Sequence, residues 1–178
     1  MYLYDCGGNM TGYLSAPYTL APTLEGVNET VFYTYGDSNW KDKVTAIGGK
    51  AITYDAIGNP LTYDGWTFTW KAGRMLASMV KTGTNAQFTY DHNGMRIRKI
   101  VNGVTTNYTL NGKNVVHMTQ GSHDLHFFYD AQGKPAMVRF NGTDYFYVYN
   151  LQGDVVALID ADGTQVVEYI YDAWGNPI

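Results

Sequence analysis

The chain has 178 residues, 45% hydrophobic, 16% charged and 15% aromatic, with a formal net charge of −4 at pH 7. Sixteen tyrosines, 20 glycines and only three glutamates (Glu25, Glu29 and Glu168) disfavour a helical bundle, and so aromatic a chain excludes intrinsic disorder. No apolar run reaches the roughly 18–20 residues of a membrane span, so membrane insertion is not expected, and the acidic balance argues against a nucleic-acid partner. The single Cys6 excludes an intramolecular disulfide and a cysteine zinc cluster. Met1 does not open a basic and then apolar stretch of signal-peptide type. Tyr, Thr and Val remain as the dominant strand formers, which predicts an all-β chain; length alone predicts one domain.

In chain order one pattern recurs: an aromatic, Asp or Asn, two variable residues, Gly, then a polar residue. It first reads Tyr4-Asp5-Cys6-Gly7-Gly8-Asn9. Residues from about Pro17 to Val31 resemble the repeat least, and 1–48 form a more irregular N-terminal part. Regular repeats fill 49–178, beginning with Tyr54, Asp55 and Gly58 in Tyr54-Asp55-Ala56-Ile57-Gly58-Asn59. The strand Trp66-Thr67-Phe68-Thr69-Trp70 alternates, and a shortened copy follows at Trp70-Lys71-Ala72-Gly73-Arg74. Next come Tyr90, Asp91 and Gly94, a second shortened copy ending at Gly112, then Tyr129, Asp130 and Gly133. The series ends with Tyr149, Asn150 and Gly153, and with Tyr171, Asp172 and Gly175 in Tyr171-Asp172-Ala173-Trp174-Gly175-Asn176. From Gly73 the glycines fall at 73, 94, 112, 133, 153 and 175, in steps of 21, 18, 21, 20 and 22 residues.

Turn chemistry accounts for the spacing. Asp or Asn at the first turn position accepts backbone N–H bonds from residues further on, and Gly three residues later supplies a left-handed conformation. Each D-x-x-G is therefore a hairpin reversal with Tyr at the end of the incoming strand. A unit of about 20 residues holds two ordinary strands and two turns. The second turn is expected at Asp64-Gly65, Asn102-Gly103, Asn141-Gly142 and Asp162-Gly163, dipeptides that favour tight hairpin turns. Tyr145-Phe146-Tyr147-Val148-Tyr149 and Val155-Val156-Ala157-Leu158-Ile159 read as strands covered on both faces. The tyrosines recur at a fixed place in each unit, which predicts a ladder in which each packs on the tyrosine of its neighbour.

Tyr-Asp-x-x-Gly units at this spacing resemble the RHS/YD-repeat family. The stretches from Tyr33 to Lys43, Tyr54 to Pro60, Tyr149 to Asp154 and Tyr171 to Asn176 resemble its bacterial members closely, and the likeness covers nearly the whole chain. The resemblance implies consecutive antiparallel β-hairpins in one long curling sheet, a segment of a spiral β-shell. It implies a large secreted or cell-surface polypeptide whose shell encloses a C-terminal toxin in bacterial polymorphic toxins; in animal teneurins a related shell belongs to an adhesion receptor. The partners it implies are the rest of the same polypeptide: neighbouring repeats, a core segment and a C-terminal cargo. On this reading residues 1–178 are a slice from late in a repeat array, and open strand edges predict self-association.

Sites of chemistry are sparse. Eight of the thirteen aspartates (5, 37, 55, 64, 91, 130, 162 and 172) lie in turn contexts, and no carboxylate pair stands out for glycosidase chemistry. His123-x-x-His126 with His117 nearby offers metal-ligand types, but strand positions three apart face opposite sides, so no metal site is expected. Ser15, Ser38, Ser78 and Ser122 lie outside any nucleophile elbow. Gly48-Gly49-Lys50 lacks the spacing of a phosphate loop. Arg96 and Arg98 are expected on one strand face as a small positive stripe. No catalytic residue and no cofactor are expected. The alternative to a structural wall is a carbohydrate- or cell-wall-binding module, whose partner is a glycan stacked on exposed aromatics.

Overall fold

Short runs of Tyr, Thr, Val and Ile broken by glycine at 10-residue intervals leave no room for a helix, and a computed structural model shows none among the described residues. It describes residues 1–20, 23, 25–172 and 174–178. Ala21, Pro22 and Leu24 of the least repeat-like stretch, and Ala173 of the final copy, lie outside the described residues. The chain divides into two units, Met1–Asn85 and Ala86–Ile178.

The first unit holds β1 (Tyr2–Tyr4), β2 (Met10–Ser15), β3 (Glu29–Thr34), β4 (Ala46–Ile47), β5 (Lys50–Tyr54), β6 (Pro60–Tyr63), β7 (Trp66–Lys71) and β8 (Met75–Lys81). Each pairs antiparallel with the next. β9 (Thr84–Tyr90) leads into the second unit, with β10 (Arg96–Val101), β11 (Val104–Asn111), β12 (Asn114–Gln120) and β13 (His123–Tyr129). It ends with β14 (Pro135–Phe140), β15 (Thr143–Tyr149), β16 (Val155–Ile159) and β17 (Gln165–Glu168), again pairing antiparallel in succession. The fold is all-β, built of consecutive antiparallel hairpins.

In such a meander successive reversals lie at alternate edges. The turn glycines of the second unit fall at 94, 103, 112, 121, 133, 142, 153, 163 and 175, all at positive φ and 9 to 12 residues apart. The 20-residue period is therefore the distance back to the same edge. One edge carries the turns at Asp91, Gly112, Asp130, Asn150 and Asp172; the other carries those at Asn102, Gly121, Asn141 and Asp160.

Two turn types recur in this scheme. Asp64-Gly65 (φ 47° and 78°), Asn102-Gly103 (48° and 83°) and Asn141-Gly142 (49° and 88°) hold both central residues left-handed, the tight hairpin geometry expected of them. Ala72-Gly73 has similar angles (44° and 83°), but Lys71 pairs with Met75, so the shortened copy at Trp70 keeps a three-residue loop and the register of a D-x-x-G reversal. Asp162-Gly163 departs from expectation. Gly163 N donates to Asp160 O at 3.1 Å, so this reversal is of the D-x-x-G type and begins at Asp160.

Each aromatic before a reversal pairs with the residue six further on, across a register shift: Tyr4 with Met10, Tyr54 with Pro60, Trp70 with Leu76, Tyr129 with Pro135 and Tyr149 with Val155. The shift is a bulge, which turns a side chain to the other face. At Tyr90, paired with Arg96, it separates the two arginines expected to share a face. Arg96 lies over the rings of Phe88 (5.6 Å) and Tyr108 (5.9 Å), whereas Arg98 pairs with Thr89 on the opposite side. There is no positive stripe.

Burial is thin. Ala86, Val138 and Ala157 are the buried apolar residues among those described, with Asn59 and Thr106 as buried polar ones. Thr106 accepts a bond from Gln120 Nε2 at 2.8 Å, which satisfies its hydroxyl. The two apolar strands expected to be covered on both faces are not, since Phe146 is 39% exposed and most of their residues are half-buried. The cause is a sheet with no second layer on it within the described residues.

Gly58 and Gly133 occupy equivalent turn positions at φ 86° and 81°, but a Cβ on Gly58 would meet the Trp40 ring at 2.7 Å, while one on Gly133 would meet nothing within 4 Å. Gly133→Ala should cost about 1–2 kcal/mol through the backbone alone. Gly58→Ala should cost more and also shift tryptophan fluorescence, as urea denaturation followed by emission will show.

Candidate functional site

The chemistry of this chain is concentrated in the turns. At Asp55, Asp91, Asp130, Asn150 and Asp172 the residue's backbone N donates to the carbonyl four residues on at 2.9–3.0 Å, and its carbonyl accepts from the glycine N three residues on at 3.0–3.2 Å. The side chain completes the turn. Asp55 Oδ1 accepts from Ile57 N (3.0 Å) and Asn59 N (2.8 Å), and Asp130 Oδ1 from Gln132 N (2.9 Å) and Lys134 N (2.8 Å). The same pair of bonds forms at Asp5, Asp91, Asp160 and Asp172. At Asn150 the amide oxygen accepts from Asp154 N at 2.9 Å. The position requires an acceptor, and charge is optional.

Above each turn stands the aromatic. Tyr129 Oη donates to Val115 O at 2.8 Å, Tyr149 Oη to Pro135 O, and Tyr171 Oη to Val155 O at 2.8 Å. Pro135 and Val155 are the residues paired with Tyr129 and Tyr149. The hydroxyls of Tyr149 and Tyr171 thus grip the backbone that the preceding same-edge tyrosine pairs with, while Val115, gripped by Tyr129, pairs with Leu110. The first unit repeats the rule at Tyr35, whose Oη donates to Met10 O (2.9 Å), and at Trp70, whose Nε1 donates to Pro60 O (2.7 Å); Tyr54 Oη donates to Val44 O, outside the strands. Successive repeats are stapled by hydrogen bonds from ring to backbone. In place of the expected stacking of each tyrosine on its neighbour's, ring contacts join tyrosines two residues apart, Tyr147 with Tyr149 at 6.4 Å and Tyr169 with Tyr171 at 6.5 Å. Tyr147 is sufficiently buried that its phenol is pushed up to about 12. Tyr90 pairs with Arg96, and the glycines 58, 94, 133, 153 and 175 all hold positive φ.

The residue four after the turn acid supplies a second tie that the motif does not announce. Asn59 Nδ2 donates to Asp55 Oδ2 (2.8 Å) and to Gly73 O (2.7 Å) in the next same-edge turn. Asn9 Nδ2 likewise reaches Asp5 Oδ2 (3.0 Å) and Asp42 Oδ1 (3.2 Å). Lys134 holds its ammonium 3.4 Å from the centre of the Tyr149 ring, a cation–π contact to the next turn. A polar residue after the glycine was the only sequence signal for this role.

These bonds lower several carboxyl pKa values. Asn9 and Asn176 hold Asp5 and Asp172 below the usual carboxylate range, first through side-chain and then through backbone hydrogen bonds. At Asp55 desolvation pushes upward, but the bonds from Asn59, Ile57 and Gly58 outweigh it. Asp37, paired with Lys43, is lowered to about 2, chiefly by that hydrogen bond.

The other candidate residues are dispersed. Gly48-Gly49 is the turn between β4 and β5, and Lys50 Nζ pairs with Asp64 Oδ1 at 2.7 Å. Ser78 Oγ bonds Thr69 Oγ1 at 2.6 Å, and Cys6 is an exposed thiol inside the first turn. His123 stacks on Phe140 at 5.4 Å, on the face opposite His126. His126 instead meets His117 across the β12–β13 hairpin, and both rings reach Asp124.

Hairpins closed by repeated acceptor turns and stapled by tyrosine hydroxyls define a YD-repeat shell segment. The chain belongs to the teneurin YD-shell family, whose model matches residues 2–178. It is 34% identical over 183 residues to the tRNA3(Ser)-specific nuclease WapA of Bacillus spizizenii and, over the same length, to the tRNA nuclease WapA of Bacillus subtilis (strain 168). Each alignment takes in 99% of this chain and 7% of the relative, so the chain spans a small part of those proteins. Among solved structures it is similar to the Photorhabdus luminescens Tc holotoxin pore, at a TM-score of 0.54 and 16% identity, over 99% of this chain and 10% of that one. The crystal structure of TcdB2-TccC3 matches with the same TM-score, identity and coverage. The chain is a structural β-shell segment.

Removing one hydroxyl isolates the staple. Tyr149→Phe and Tyr171→Phe should each cost about 0.5–1.5 kcal/mol and speed amide exchange in the preceding same-edge turn. Tyr145→Phe, whose hydroxyl has no carbonyl partner among the described residues, should change neither quantity in hydrogen-exchange mass spectrometry.

Acid should loosen the turns. Folded-state pKa values lowered at Asp5, Asp37, Asp55 and Asp172 contribute stability that is full above the unfolded value near 4 and lost as pH falls toward about 2. Urea midpoints should therefore be flat just above pH 4 and decline below it. Asp172→Asn should reduce that decline, because an amide keeps the acceptor and does not titrate, as Asn150 already shows.

Proposed function

We propose that the chain is a non-catalytic length of wall in a secreted or cell-surface polypeptide, and that the wall encloses or presents a C-terminal toxin or effector domain of the same protein. The observation that carries this reading is the same-edge stapling of one repeat to the next. Such stapling makes a stiff sheet from strands that bury few side chains of their own, the property a container needs. The half-buried apolar face supports the same conclusion, since Leu125, Val138, Phe140, Tyr145 and Leu158 line a shallow cavity of about 300 Å³ with no layer over it. The outer edge of β17, where Val166 and Val167 are exposed, is a place for a further strand of the same polypeptide to pair. The nuclease activities named for the relatives belong, on this reading, to the remainder of those proteins.

The test uses the full-length polypeptide that contains this chain. Doubly weakening the staples with Tyr149→Phe and Tyr171→Phe should leave expression intact but make the downstream domain a faster substrate for limited proteolysis. Cleavage of that domain at the same rate in the parent protein and the variant would show that the wall does not shield it.

A further inference from the structure

One side-chain cluster serves neither the turns nor the apolar face. His117 on β12 and His126 on β13 are direct cross-strand partners, and Asp124 lies two residues before His126, so all three project from one face of the hairpin. The imidazoles stack at 4.2 Å between centroids with an interplanar angle of 15°. Each turns the same nitrogen on the same carboxylate: His117 Nε2 is 3.0 Å from Asp124 Oδ2, and His126 Nε2 is 3.0 Å from Asp124 Oδ1. One donor atom from each residue falls within 4.8 Å of the other two. Asp124 is itself held in place, its backbone N donating to Asn141 Oδ1 at 2.8 Å.

We propose that His117, Asp124 and His126 bind a divalent transition-metal ion, zinc above all, with water completing the coordination shell. Two imidazoles and one carboxylate are the donor set of zinc, nickel and copper, and a poor one for calcium or magnesium. The donors are close enough to share one ion after a side-chain rearrangement. Tetrahedral donors about 2.0–2.2 Å from zinc stand about 3.3–3.5 Å apart, so the nitrogen–oxygen separations open by only a few tenths of an ångström. The stacked imidazoles must also tilt toward each other so that their in-plane lone pairs meet at one ion, and both have room to do so, being 30% and 47% exposed at His117 and His126. The charge balance is also favourable. Arg139 pairs with His126 on the next strand, but its guanidinium is committed to Asp144 at 2.6 and 3.0 Å and does not compete for the Asp124 carboxylate. A metal here adds a second clip between β12 and β13, beside the one Tyr129 Oη makes to Val115 O.

Zinc chloride titrated into the full chain near neutral pH, followed by calorimetry and by the histidine ring signals in NMR, tests the site. One equivalent is expected to bind, shifting the signals of His117 and His126 while those of His92 and His123 stay in place. His117→Ala or His126→Ala should weaken binding at least about tenfold, and His123→Ala should leave it unchanged. Equal affinity in the parent chain and in the His117→Ala, His126→Ala double variant would overturn the proposal. So would a parent chain in which zinc moves none of the four histidine signals, a reading that needs no variant to fold.

Discussion

A sheet one layer thick cannot rely on a packed interior, so its repeats must be fixed by directional bonds at their ends. The controlling interaction is the acceptance of two backbone N–H groups by a single side-chain oxygen at the start of each D-x-x-G turn. That acceptance sets the loop at five residues from Asp130 to Lys134, and the five-residue loop pairs Tyr129 with Pro135 across a bulge. The bulge then directs the tyrosine along the edge, where the hydroxyl of Tyr149 reaches Pro135 O. Each later link inherits its geometry from the turn. Loss of the acceptor at one turn therefore releases a ring, a carbonyl and the position of the following repeat together.

The parts of this arrangement legible in the sequence are those with a local cause. Asp followed three residues later by Gly has one efficient conformation, so the reversals at Asp55, Asp91, Asp130 and Asp172 could be placed without coordinates. What escaped has a non-local cause or two competing local ones. Asp162-Gly163 satisfies the rule for a tight turn and Asp160 the rule for a longer one, and the acceptor bonds from Asp162 and Thr164 to Asp160 decide between them. Arg96 and Arg98 obey strand alternation until a bulge intervenes, and bulges leave little trace in composition. The His117–Asp124–His126 cluster depends on the register of one hairpin. Alternation correctly separates His123 from His126, but it says nothing of which residue faces His126 across the strands.

The same hierarchy explains how the fold persists at low sequence identity. A turn specifies an acceptor, a glycine and an aromatic; the strands between need only suit a half-buried sheet. The likeness to the Tc holotoxin pore at 16% identity and a TM-score of 0.54 is what so sparse a specification allows. Within this chain the specification already varies. Asn150 with Asp154 exchanges the polarity of Asp172 with Asn176 and closes the same turn, and Lys134 reaches the next turn through its cation where Asn59 does so through its amide.

The composition of the aromatics follows from the staple as well. A ring that only packed would serve as well as phenylalanine, and the chain carries 16 tyrosines to 7 phenylalanines. The position before a turn needs a ring with a donor at its far end, to reach a backbone carbonyl of the preceding repeat. Tyr149 and Tyr171 supply that donor as a hydroxyl, and Trp70 supplies it as an indole N–H, 2.7 Å from Pro60 O. Two chemically different side chains meeting one acceptor in one geometry identify the requirement as the hydrogen bond itself. Tyr35, Tyr54, Tyr129, Tyr149 and Tyr171, with Trp70, are thus committed to holding repeat to repeat, and a chain of this family that replaced its turn tyrosines with phenylalanine would keep its rings and lose those bonds.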